Sequence, residues 1–220
     1  MTADPASMLK TAFASVSLAL ASYACAAWLT HDFQVWTAEG ARRLEVALQP
    51  VATPAVKVQA PGRPPQLLTQ MLADGRTVTI LDFVYTRCQT VCLALGSTYQ
   101  QMQASLQSAR ETDAAARRVQ LLSISFDSQR DDLQALADYA ARLHADADVW
   151  RLLRVPGPQD LARLLADFQV VVVNSTHGDF EHNAALLVVD SHGRLVRIFD
   201  YADHQLALDY SRYLAAAGLP

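Results

Sequence analysis

The chain has 220 residues, 51% of them hydrophobic and 18% charged, with a formal net charge of −4. That length suits one domain of ordinary size plus some additional sequence, and the composition excludes a wholly disordered chain. Without a basic block, no nucleic-acid partner bound by a cationic surface is expected. Three cysteines, Cys25, Cys88 and Cys92, are too few for a disulfide-dense scaffold.

Residues 11–29 carry no charge, and Lys10 stands just before them. As a helix they would reach about 28 Å at about 1.5 Å per residue, close to the hydrocarbon thickness of a bilayer. A retained transmembrane anchor is the first reading, although Ala and Ser weaken the drive to insert. A cleaved secretory signal is the alternative, because Ala24-Cys25-Ala26 offers small residues to a peptidase. A buried helix of a soluble domain is the third. Ser22 stands where a lipoprotein signal has a large aliphatic residue, so Cys25 is a poor lipidation site. Lys10 on one side against Arg42 and Arg43 on the other barely decides orientation. Both leading readings send the rest of the chain across a membrane into an oxidising compartment. There a close cysteine pair stays open only with a reductant or a metal.

The segmentation expected is an anchor or signal over 1–30, a membrane-proximal helix and linker over 31–55, and a globular domain over 56–220. Residues 31–48 read as helical, with Trp28, Phe33 and Trp36 placed either at the membrane surface or against the domain. Prolines crowd residues 50–65, which read as a linker with one edge strand at 56–59. Residues 78–85 form an apolar, β-rich run after the turn pair Asp74-Gly75. Residues 93–110 predict a helix and 119–126 a second buried strand. An amphipathic helix over 131–143 sets Leu133, Leu136, Tyr139 and Leu143 on one side, with Asp131 and Asp132 in its first turn. After Pro156-Gly157-Pro158 come a helix over 159–168 and a strand over 169–173. Runs 184–189 and 195–199 flank a hairpin turn, and a helix over 205–217 closes the chain. Strands alternating with helices give βαβ units, and the hairpin adds an antiparallel edge. The expected fold is a thioredoxin-like α/β sandwich.

Cys88-Gln-Thr-Val-Cys92 lies between the first long strand and its helix. Ligands of open α/β sheets are held at the carboxyl ends of strands. A spacing of four puts two sulfurs one helical turn apart, about 5–6 Å between Cβ atoms. From there they can close a disulfide or grip one metal ion. A helix start and Arg87 both favour the thiolate. Two thiolates seldom complete a metal site, so a third ligand is expected among the six histidines. His31, His144, His192 and His204 read as solvated. His177 and His182 lie in a polar loop, NSTHGDFEHN, and His182 is the better candidate because Glu181 and Asn183 beside it can orient its ring. Two thiolates and one imidazole suit copper in both oxidation states. Zinc would take a fourth ligand, which His177 can supply.

Four stretches together resemble the Sco/SenC copper-chaperone family: Asp82-Phe-Val-Tyr-Thr-Arg-Cys88-Gln-Thr-Val-Cys92, Ser123-Ile-Ser-Phe-Asp127-Ser-Gln-Arg130-Asp131, Glu181-His182, and Leu186-Leu-Val-Val-Asp190-Ser-His-Gly193. The resemblance implies a thioredoxin-like domain that binds a copper ion, Cu(I) or Cu(II), through Cys88, Cys92 and His182. It implies a role in building the copper A centre of cytochrome c oxidase, by delivering copper, by reducing the target's cysteines, or both. The implied partners are the copper A subunit of that oxidase or another copper chaperone, and the membrane through the N-terminal helix. The implied place is the bacterial inner membrane with the domain in the periplasm, or the periplasm itself after signal cleavage. In the competing reading Cys88 and Cys92 are the redox pair of a thiol-disulfide oxidoreductase. Asp127, Arg130 and Asp131 match a family element that reads as structural or partner-facing. The chain has Gln89 and Leu93 where the family usually has Pro, and Glu181 where it usually has Asp. Loop rigidity and nearby charge tune the target and the redox balance at those positions.

Overall fold

The computed structural model describes residues 5–87, 91–174 and 180–218. The chain forms two compact units, Met1–Glu45 and Val46–Pro220. In the first, α1 (Pro5–Leu29) exposes Leu9, Phe13, Leu18, Leu20 and Trp28. Its stretch Ala6–Leu29 is long and apolar enough to cross a membrane, a property that signal sequences share. A turn with positive φ at His31, Asp32 and Phe33 then interrupts the helix expected over 31–48. The Phe33 ring packs on Tyr23 and Trp36, at 5.4 and 5.9 Å between centroids. Helix α2 (Ala38–Leu48) starts only after Thr37, whose Oγ1 accepts the Gly40 N–H at 2.9 Å.

The second unit begins with three two-residue strands, β1 (Val51–Ala52), β2 (Lys57–Val58) and β3 (Gln66–Leu67), and the short α3 (Leu68–Leu72). Then come β4 (Val78–Val84), α4 (Val91–Ala109), β5 (Val119–Ser125), α5 (Leu133–Arg142), β6 (Trp150–Arg154) and α6 (Pro158–Asp167). The hairpin β7 (Val172–Asn174) and β8 (Phe180–His182) follows, then β9 (Leu186–Val189), β10 (Arg194–Phe199) and α7 (His204–Ala217). The main sheet runs β1-β10-β9-β4-β5-β6. Strands β4, β5 and β6 are parallel, and β9 pairs antiparallel with β4. Two small sheets, β2-β3 and β7-β8, stand apart from it.

Every residue of β4 and β5 is buried, which is why both read as apolar-rich runs rather than as alternating ones. Alternate side chains still go to opposite faces. Ile80, Leu121, Leu152 and Val188 meet Tyr99, Met102 and Leu106 of α4 and Leu208 of α7. Leu81, Phe83, Leu122, Ile124 and Leu153 meet Leu68 and Leu72 of α3 and Leu164 of α6. Gly96 lets α4 come close to the end of α5, since a Cβ there would stand 2.9 Å from Leu143 Cδ2. Strand β6 is absent from the sequence reading because Arg151 and Arg154 break its apolar run. Asp132 is the N-cap of α5, its carboxylate accepting the Ala135 N–H at 2.8 Å, whereas Asp131 lies outside the helix and turns into the core.

Trp150 is fully buried, its ring against Tyr99 at 5.2 Å and its Nε1–H donating to Ser123 Oγ at 2.9 Å. Trp150→Ala is expected to cost about 3–5 kcal/mol, read as a lowered midpoint in urea unfolding.

Candidate metal centre

Strand β4 ends at Val84, and Tyr85, Thr86 and Arg87 carry the chain to Cys88. Cys88 and His177 lie outside the described residues. Cys92 falls in the first turn of α4, where the backbone alone is described. Among the described residues no three His, Cys, Asp or Glu side chains form a metal-binding group.

His182 is described, and the segment read from sequence as a polar loop is in part a strand. In β8, Phe180 and His182 share the half-buried face and Glu181 points to the exposed one, as a period of two requires. His182 pairs with Val172 across the hairpin. Its ring lies 5.1 Å from the Phe126 ring, just past the end of β5. Burial pulls its pKa below the usual histidine value, while the backbone of Phe83, in β4, works the other way by hydrogen bonding. Burial thus favours the neutral ring. Its Nε2 is buried and has no hydrogen-bond partner among the described residues. Leaving a buried polar nitrogen unpaired costs about 1–3 kcal/mol, so a lone pair presented this way calls for a ligand. Glu181 is exposed, and Asn183 instead closes the base of the hairpin, accepting from Val171 N at 2.8 Å and donating to Gln169 O at 3.1 Å. The ring's orientation comes from Phe126 and Phe83, not from the two neighbours expected to supply it.

Three aromatic side chains hold the hairpin there. Tyr85, Phe126 and Phe180 stand 5.1 to 5.4 Å apart by their centroids. Tyr85 Oη also accepts the Phe180 N–H at 3.4 Å. Sequence reasoning missed this cluster: Tyr85 and Phe126 read only as strand ends and Phe180 as a loop residue. Arg130 sits with its guanidinium 5.7 Å from the Phe180 ring centre and pairs with Asp127 at 3.5 Å. Beside them opens a groove of about 420 Å³ whose lining includes Phe126, Arg130, Leu161, Asn174 and Phe180. Of the other histidines, His144 and His192 are exposed, and His31 and His204 are half-buried.

Two buried carboxylates flank this region. Asp131, fully buried, accepts from Thr86 N at 3.0 Å, Thr86 Oγ1 at 2.6 Å and Ser125 Oγ at 2.6 Å. Asp82, on β4, faces the α4 side with one carboxylate oxygen unpaired among the described residues. Burial raises its pKa to about 7, against the opposing hydrogen bonds of Ser123 and Tyr99.

The sequence profile of the family described as SCO1/SenC matches residues 65–211. No curated protein matches the chain. Among solved structures, a SCO1/SenC family lipoprotein from Bacillus anthracis is similar at 21% identity and a TM-score of 0.65, covering 76% of this chain and 98% of that one. ScoI from Bradyrhizobium japonicum, solved with copper bound, is 19% identical at a TM-score of 0.60, covering 74% and 99%. BsSco, a member of the Sco family of cytochrome c oxidase assembly proteins in which a disulfide switch was identified, is 18% identical at 0.63, covering 76% and 95%. The likeness to these structures establishes the expected thioredoxin-like sandwich.

Asp82 sets a pH dependence whose sign is fixed. Burial raises the Asp82 pKa to about 7 in the folded chain, whereas an unfolded aspartate releases its proton near 3.8. Between those values the folded state binds more protons, so stability falls as pH rises through that window and levels off above it. The slope is at most about 1.4 kcal/mol per pH unit. Asp82→Asn should flatten this part of the profile, measured as urea midpoints from pH 4 to pH 8.

Proposed function

Because the chain belongs to the SCO1/SenC family, we propose that it binds copper and takes part in assembling the copper A centre of cytochrome c oxidase. Copper is its cargo, held by Cys88, Cys92 and His182. The observation that carries this reading is the buried Nε2 of His182, which has no hydrogen-bond partner among the described residues. The His182 ring is held near the carboxyl end of β4, from which the cysteine segment continues. Thiolates with one imidazole form a soft donor set that suits copper. A three-coordinate ion leaves room for an acceptor's ligand to attach before an old one departs, which is how ligand exchange would pass copper on. Zinc would call for a fourth protein ligand. The partner is the copper A subunit or another copper chaperone. The apolar α1 anchors the chain in the bacterial inner membrane, with the second unit in the periplasm, or directs its export there.

A second reading is favoured by the position of Cys92 in the first turn of a 19-residue helix. The N–H groups at a helix start stabilise a thiolate, as thiol-disulfide exchange requires. In this reading Cys88 and Cys92 reduce the cysteines of a copper-receiving partner. Exchange with a partner disulfide needs no imidazole.

The reduced full chain, in detergent, is expected to take up about one copper per molecule. Cys88→Ser, Cys92→Ser and His182→Ala should each abolish tight binding, measured by competition with a chromogenic Cu(I) chelator. His182→Ala should keep its thiol-disulfide exchange. Full copper retention by His182→Ala would overturn the proposed site.

A further inference from the structure

The segment 125–131 touches both limbs of the proposed copper site. On one side, the Asp131 carboxylate holds Thr86 through two hydrogen bonds, one to its backbone N–H and one to its hydroxyl. Thr86 is two residues ahead of Cys88. The third donor, Ser125, ends β5 and pairs in register with Val84 at the end of β4. Ser125 Oγ also accepts the Asp127 N–H at 3.1 Å, and Asp131 N donates to Asp127 O at 2.8 Å, so the turn is closed on itself. On the other side, Phe126 packs on His182 and Phe180, and Arg130 covers the Phe180 ring.

A carboxylate buried to this degree is costly unless its lone pairs are used, and here three donors use them. The Thr86 N–H and hydroxyl sit in a turn and are only partly buried, where water would serve. What the arrangement does achieve is to fix the chain entering the cysteine segment against the same seven-residue stretch that seats the histidine.

We propose that Asp131 is a positioning residue. It holds Thr86, at the entry to the cysteine segment, against the turn whose Phe126 and Arg130 fix the histidine limb. This rests on the copper reading above and deepens it. A preorganised site binds more tightly because less freedom is lost on binding. Loosening the entry to the segment therefore weakens copper binding without removing a ligand. It also lowers the effective concentration of one thiol at the other, so the Cys88–Cys92 disulfide becomes easier to reduce.

The test uses the full chain in detergent with Asp131→Asn, Thr86→Val and the double variant. Leu208→Ala, in the core under α7, serves as a destabilised control. Copper affinity is read by Cu(I) chelator competition. The redox equilibrium of the metal-free pair is read against glutathione, where one oxidised glutathione accepts two electrons and two protons from the two thiols and leaves as two reduced molecules. Asp131→Asn is expected to bind copper about tenfold more weakly, at unchanged stoichiometry, and to shift the glutathione equilibrium about tenfold toward the dithiol. Thr86→Val should do the same to a smaller extent. The double variant should be no worse than Asp131→Asn, because both changes break one shared contact. Wild-type copper affinity and redox equilibrium in Asp131→Asn would overturn the proposal, as would an equal loss in Leu208→Ala. If the unmodified protein takes up no copper, the copper reading fails, and the glutathione equilibrium of the variants still decides this inference.

Discussion

The contact among Tyr85, Phe126 and Phe180 is what the placement of the β7-β8 hairpin depends on. The three rings come from the exits of β4 and β5 and from β8, so they join strands far apart in the sequence. The β7-β8 hairpin belongs to neither the main sheet nor its core helices. A two-stranded hairpin is marginal alone in water. Each aromatic pair adds about 0.5–1.5 kcal/mol beyond the area it buries. Those contacts tie a weak element to the two most deeply buried strands and carry His182 with it. A hydrophobic interaction thus places a polar group.

The sequence made the scaffold legible where burial is two-sided. Residues of β4 and β5 read as strands because both faces are covered and β-branched and apolar residues dominate them, although Thr79, Asp82, Gln120, Ser123 and Ser125 are polar. The β9-β10 hairpin was equally visible, since Gly193 supplies the positive φ its turn requires. The pattern failed where tertiary context overrode it. In β6 two arginines lie among leucines, and Arg154 donates to Ser128 O instead of lying free in water. In β8 the residues Phe-Glu-His look like loop, and pairing with β7 alone makes them a strand. Asp131 looked like a helix-start acid because Asp132 beside it is one. Which of two adjacent carboxylates turns inward is decided by Thr86, forty-five positions away. At the candidate site, the cysteine spacing was readable by itself. His182 was singled out by its neighbours Glu181 and Asn183, which the structure shows not to orient it, and the rings that seat it could not be read at all.

Asp82 and Asp131 show two solutions to the burial of one side-chain type. Asp131 keeps three donors within reach and belongs to the architecture. Asp82 has too few, and burial raises its proton affinity instead. A group whose half-titration point falls close to neutrality is occupied in only part of the population there. Burial raises the Asp82 pKa to about 7, so pH changes near neutrality bear on a charge in the interior beneath α4.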